Sequence, residues 1–283
     1  MTGIDLLWLF FIFIGLQPIL KKKMLEAARQ KMIAKIEKQR GGSRVIILIH
    51  RQETMSILGF PLMRFIDIND SEQVIRAIHL TDSDTPIDII LHTPGGLLLA
   101  SLQIARAIEK HKAKVTAYVP HYAMSGGTLI ALAADEIVMD DHAVLGPLDP
   151  QIGNFSAASL VRVFKKKTLE HVDDETLILA DSAEKALYQI KNEIIDLLSD
   201  RYSSEKAEFI ADTLSQGHWT HDHPISVKEA IKIGLPIKKD IPKEIYQLME
   251  LFPQPVRYQP SVEFLPIPKH SPKRPGTNNF YNT

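Results

Sequence analysis

Two short segments carry residues able to do chemistry. In "HTPGG", residues 92–96, a proline and two glycines end one apolar run and lead into another. In "AMSGG", residues 123–127, Ser125 stands before a second glycine pair, with a further apolar run behind it. Glycines at a strand-to-helix turn permit positive φ and close backbone approach. The amides that open a helix, at its partial positive end, favour an anion. Two such turns side by side, at the carboxyl edge of a parallel sheet, would set a hydroxyl beside convergent N–H donors, as acyl transfer requires. Against this stands a plainer use of Ser125, capping the helix that follows it. The segment lacks G-x-S-x-G, so the nucleophile elbow of α/β-hydrolases is not indicated.

Such turns need strands ahead of them and helices behind. "RVIILIH" (44–50), "PIDIILHT" (86–93), "KVTAYVP" (114–120) and "EIVMDD" (136–141) are short apolar runs suited to strands buried on both faces. Helical spacing appears in "SEQVIRAIHLTD" (71–82), in 97–111 and in "GTLIALAA" (127–134). It returns in 181–202, with Asp181 or Ser182 as N-cap, and in 226–237, closed by Gly234. Strands alternating with helices over short connections indicate an α/β fold with a mainly parallel sheet.

The 283 residues allow one large domain with appendages, and 45% apolar with 24% charged residues is globular composition. A net charge of −1 gives no nucleic-acid footprint. The absence of cysteine excludes thiol catalysis, thiolate metal sites and disulfides. Residues 4–20, "IDLLWLFFIFIGLQPIL", are almost wholly apolar and run directly into Lys21–Lys23. A signal peptide has its charge before the apolar run. The expectation is therefore a short transmembrane anchor over 4–20, with the lysines and all that follows on the cytoplasmic side. A basic helical linker spans 21–43, the main domain 44–251, and a proline-rich disordered tail 252–283.

Three stretches, "HTPGG", "AMSGGTLIALAADEIVMDDHAVLGPLDPQ" and "SVKEAIKIGLP", resemble the signal peptide peptidase A and Clp peptidase superfamily. More narrowly, the chain is similar to the serine dehydrogenase proteinase family, membrane-anchored Clp-class serine proteases. The resemblance covers roughly residues 44–237. It implies a crotonase-like fold of repeated ββα units, assembly into a homo-oligomer, and hydrolysis of peptide bonds without a cofactor. It implies Ser125 as nucleophile and the Gly96 and Gly126 amides as oxyanion hole.

The base stays open. A serine hydroxyl needs a neighbour to take its proton. In relatives of the signal peptide peptidase A kind that neighbour is a downstream lysine, which must be desolvated to act near neutral pH. Lys185, alone on a helix beside Ala183, Ala186 and Leu187, is preferred to Lys165, Lys166 and Lys167, a run expected to be solvated. Clp peptidases use histidine instead, and "GHWTHDHPI" offers His218, His221 and His223, with His221 the alternative base. The cluster reads first as a structural turn, and a metal site there lacks a familiar carboxylate pattern. Asp149 reads as a turn residue before Pro150 and is assigned no chemistry. Two other classes remain: a non-catalytic scaffold on the same fold, and a crotonase-type acyl-CoA enzyme using the same oxyanion geometry.

Overall fold

The computed structural model describes residues 3–51 and 64–252, with the side chains of 3–15 and of Pro18 and Leu169 left out. Five strands form a wholly parallel sheet in the order β1-β2-β3-β5-β10. They are β1 (Arg44–Ile49), β2 (Ile87–His92), β3 (Val115–Val119), β5 (Glu136–Met139) and β10 (Ile237–Lys238). A smaller sheet joins β4 (Tyr122–Ala123), β6 (Val144–Leu145) and β9 (Ile225–Ser226), and β7 (Gln151–Ile152) pairs with β8 (Phe155–Ser156) as a hairpin. The helices are α1 (Gly3–Gln39), α2 (Ile68–His79), α3 (Leu98–Glu109), α4 (Gly126–Ala133) and α5 (Ala157–Phe164). They continue as α6 (Asp174–Leu198), α7 (Ser204–Ser215), α8 (Val227–Ile233) and α9 (Lys243–Glu250).

The apolar runs are strands because both faces of the sheet are covered. Every residue of β2, β3 and β5 is buried. Side chains alternate across a strand, so Ile87, Ile89 and Leu91 join the large core with Val115, Ala117, Val119, Ile137 and Met139. Ile90, Tyr118 and Val138 enter a second core on the opposite face. There the partners are Ile36 of α1 and Ile245, Leu248 and Met249 of α9, flanked by Met32 and Ile33. The basic segment expected to be a linker is thus the end of one continuous helix, and its apolar stripe covers the sheet. Two polar residues of β2 share that face. Asp88 is held by the Ser43 hydroxyl at 2.6 Å and the Arg40 guanidinium at 3.0 Å. His92, only 2% exposed, is pushed down to about 3 by burial and by the positive charge of Arg51, so it stays neutral.

One expectation shifts. The long helix begins at N-cap Asp173, whose carboxylate accepts from the Thr176 amide at 2.8 Å, eight residues ahead of Asp181. Asp181 instead pairs with Lys185. The expected anchor, 4–20, falls within α1, but most of its side chains lie outside the described residues, as does the tail beyond residue 252. Among the described residues no helix is long and apolar enough to cross a membrane.

If α1 is part of the domain, Ile36→Ala lowers the unfolding free energy by about 2–4 kcal/mol in urea titrations. A change below about 0.5 kcal/mol, ordinary for an exposed linker position, would contradict the packing.

Candidate active site

Main-sheet strand β3 leads through the short β4 to Ser125, and α4 starts at the next residue. Ser125 has φ +48° and ψ −119°, a strained conformation for a side-chain-bearing residue, and its hydroxyl makes no bond to the helix it precedes. A serine serving as a cap would be extended and would accept from its own helix. Ser125 does neither; it lines a cavity of about 490 Å³ together with Gly96, Gly126, Asp149 and His221. The strain, of order 1–3 kcal/mol, is held in place by buried polar contacts. The Thr128 hydroxyl lies 2.7 Å from the Ala123 carbonyl and accepts from the Gly146 amide at 2.9 Å.

The first glycine turn is pressed against the second. The Met124 amide donates to the Thr93 carbonyl at 2.9 Å. Gly95 has φ +100°, and a Cβ there would stand 2.8 Å from the Ser125 Cβ. On the other side the backbone of Ile66 bridges Gly96, and a Cβ on Gly96 would lie 2.3 Å from both the nitrogen and the oxygen of Ile66. The Ile66 amide donates to the Gly95 carbonyl at 2.7 Å, and the Leu97 amide to the Ile66 carbonyl at 2.9 Å. In a trans peptide the N–H points opposite to the preceding C=O, so the Gly96 N–H is turned away from Ile66. Gly126 packs close to that peptide, its absent Cβ position 3.6 Å from the Gly96 nitrogen. The Gly126 amide is the first of α4 and has no partner within its own helix. Neither amide donates to any acceptor among the described residues.

Sequence reasoning missed the carboxylate. The His221 Nδ1 lies 2.7 Å from Asp149 Oδ1, across 72 residues of chain. The Asp149 side chain is 0% exposed, and its Oδ2 accepts from the Gln151 side-chain amide at 2.8 Å. A carboxylate only accepts, so Nδ1 carries the hydrogen and Nε2 of the neutral ring is left to take a proton. Hydrogen bonding to Asp149 raises the His221 pKa above the usual histidine value, with burial opposing it. Only the burial of Asp149 distinguishes it from an ordinary Asp-Pro turn, and no spacing rule reveals that burial.

The lysines are elsewhere. Lys185 is 68% exposed, with its ammonium 2.5 Å from Asp181. Its apolar neighbours in sequence, Ala183 and Leu187, are buried, but residues two apart lie on opposite sides of a helix. Ala186 and Ile190 of α6 line the cavity, and Lys185 does not. Lys165 pairs with Glu184 at 3.5 Å, and Lys165, Lys166 and Lys167 are all exposed. None of the four is desolvated beside Ser125, as a lysine base would have to be. His218, His221 and His223 turn to three different carboxylates, Asp212, Asp149 and Glu229. Among the described residues no set of side chains is arranged to hold a metal ion.

With this geometry in view, residues 1–279 match the model of a family described as ClpP-like SDH-type serine proteinases. Two uncharacterized proteins of Methanocaldococcus jannaschii are each 50% identical to the chain. One match spans 92% of this chain and 91% of the relative, and the other 95% and 91%. Among solved structures, a membrane-bound stomatin-specific protease aligns at 23% identity and a TM-score of 0.44. It covers 65% of this chain and 79% of that one.

If His221 is the base, it must be neutral to accept a proton, and the rate of Ser125 modification by a fluorophosphonate is expected to rise with pH through a pKa raised above the ordinary histidine value. Asp149→Asn is expected to move that limb to lower pH and to cut the plateau rate by on the order of a hundredfold. An unmoved limb would show that another group titrates.

Proposed function

Since the chain belongs to the family of ClpP-like SDH-type serine proteinases, we propose that it hydrolyses peptide bonds through Ser125, with His221 as base and Asp149 as its orienting partner. Ser125 Oγ attacks the carbonyl carbon as His221 Nε2 takes its proton. The Gly96 and Gly126 amides stabilise the tetrahedral oxyanion. His221 then passes the proton to the departing amine, leaving an acyl-enzyme that a water activated by the same ring hydrolyses. Asp149 holds the ring in the Nδ1–H tautomer and stabilises the imidazolium that forms. The observation that carries this reading is the His221–Asp149 pair in the same cavity as a strained, uncapped Ser125.

The rest of the cavity suits an apolar substrate residue. Phe65, Leu97, Leu98, Leu129, Leu148 and Ile190 line it, and among the described residues Asp149 and His221 are its only titratable groups. A membrane-embedded or membrane-derived peptide would satisfy that preference, with residues 4–20 as anchor and the domain on the cytoplasmic side. The apolar run followed by Lys21–Lys23 supports this placement. So does the continuity of α1, whose 37 residues reach roughly 55 Å from the run to the domain. Assembly into a homo-oligomer belongs to the same reading. The adjoining exposed side chains Leu97, Leu98 and Leu99 are apolar surface that such assembly could cover.

A fluorophosphonate probe tests the account directly. The wild type is labelled, Ser125→Ala and His221→Ala are not, and Lys185→Ala is labelled as the wild type is. A folded wild type that resists the probe would favour a non-catalytic scaffold or an acyl-CoA enzyme. Loss of labelling in Lys185→Ala with retention in His221→Ala would exchange the base.

A further inference from the structure

The oxyanion turn is tied to a set of side chains, two buried and one partly exposed, that the mechanism above leaves without a role. His50, just past β1, is 5% exposed. Its Nδ1 is 2.9 Å from the Thr93 hydroxyl and its Nε2 is 3.2 Å from Asp70 Oδ2. Thr93 is buried, and its Oγ1 accepts from the Gly95 amide at 3.1 Å. Asp70 lies in the first turn of α2, where its Oδ2 also accepts from the Asp67 amide at 3.0 Å.

Donor and acceptor chemistry fixes the direction of the links at the carboxylate and at the Gly95 amide. A carboxylate can only accept, so Nε2 of His50 carries the hydrogen. With Nε2 as the protonated nitrogen, Nδ1 accepts the Thr93 hydroxyl hydrogen. Thr93 Oγ1, its hydrogen committed, offers a lone pair to the Gly95 N–H. The chain therefore runs from the Gly95 amide through Thr93 and His50 to Asp70, and each bond polarises the next. It also closes on itself. Asp70 holds the amide of Asp67, the residue after Ile66, and the Ile66 amide holds the Gly95 carbonyl at 2.7 Å. Gly95 is gripped at its N–H by one end of this ring and at its C=O by the other. The direction of that C=O sets the direction of the Gly96 N–H.

We propose that Thr93, His50 and Asp70 are positioning residues that aim the Gly96 amide at the oxyanion through a closed hydrogen-bond ring around Gly95. The proposal rests on the peptidase reading, and its test separates the two.

In the full-length chain, ¹⁵N NMR of the His50 ring is expected to show Nε2 protonated and Nδ1 bare. Thr93→Val keeps the volume and removes the hydroxyl. It should speed hydrogen exchange at the Gly95 amide, while the Leu97 amide, held by Ile66, keeps its protection. The maximal rate of fluorophosphonate modification should fall by on the order of ten- to a hundredfold, with half-saturation shifted less than about threefold. Thr93→Ser, which restores the hydroxyl, should recover both the rate and the Gly95 protection. Asp70→Ala, remote from the cavity, should slow the same step and release the His50 tautomer, and it serves if Thr93→Val does not fold. A folded Thr93→Val or Asp70→Ala reacting at the wild-type maximal rate, or a Thr93→Ser as slow as Thr93→Val, overturns the proposal. If Gly95 protection follows the hydroxyl but even the wild type never reacts, the peptidase reading fails. The positioning role then falls with it, and the ring is left as scaffold.

Discussion

The backbone of Ile66 sets the position of the Gly95–Gly96 peptide, and most of the site follows from that contact. Strand-like bonds on either side of Gly96 seat the turn so closely that no side chain fits there. With that face occupied, the Gly96 N–H is turned away from Ile66. The second turn comes within van der Waals distance of the first, as the space around Gly95 shows. An oxyanion hole is effective because its donors are oriented before charge develops, so that little reorganisation is needed during reaction. For the oxyanion role proposed for the Gly96 amide, the main-chain bonds to Ile66 supply part of that orientation.

A strained serine and a buried carboxylate both need support from their surroundings. Every residue of α4 is buried, so the helix behind Ser125 cannot relax the turn without exposing apolar surface. Asp149 has both carboxylate oxygens engaged, one by His221 and one by Gln151, as a carboxylate removed from water requires. The parallel sheet carries the first turn at the carboxyl end of β2, β3 leads through β4 of the smaller sheet to the second, and the main sheet is itself closed on its far face by α1 and α9. A segment that in sequence reads as a connector thereby helps to hold the catalytic scaffold.

Much of this was legible in the sequence. Four of the five main-sheet strands were visible because β-branched residues packed on both faces leave uninterrupted apolar runs, whereas β10, two residues long, overlaps the end of a segment read as helix. The strands of the smaller sheet and the hairpin, two residues each, are too short for any periodicity to register. Asp181 resembled an N-cap because Asp and Ser there precede helical spacing, yet Asp173 already supplied a cap further upstream. Lys185 drew the assignment of base because its neighbours along the chain are apolar, whereas on a helix those neighbours face the core and the lysine faces water. Asp149 was passed over for the opposite reason. Its partner is distant in sequence, and a buried aspartate before proline has the same letters as an exposed one.

The most direct measurement is a crystal structure of the full-length chain with a phosphonate bound covalently to Ser125. The account predicts a phosphonyl oxygen about 2.7–3.1 Å from both the Gly96 and the Gly126 nitrogens. It also predicts His221 Nε2 within about 3.2 Å of Ser125 Oγ, with Nδ1 still on Asp149. A phosphonyl oxygen turned to solvent, or a lysine ammonium standing where His221 should be, would contradict it.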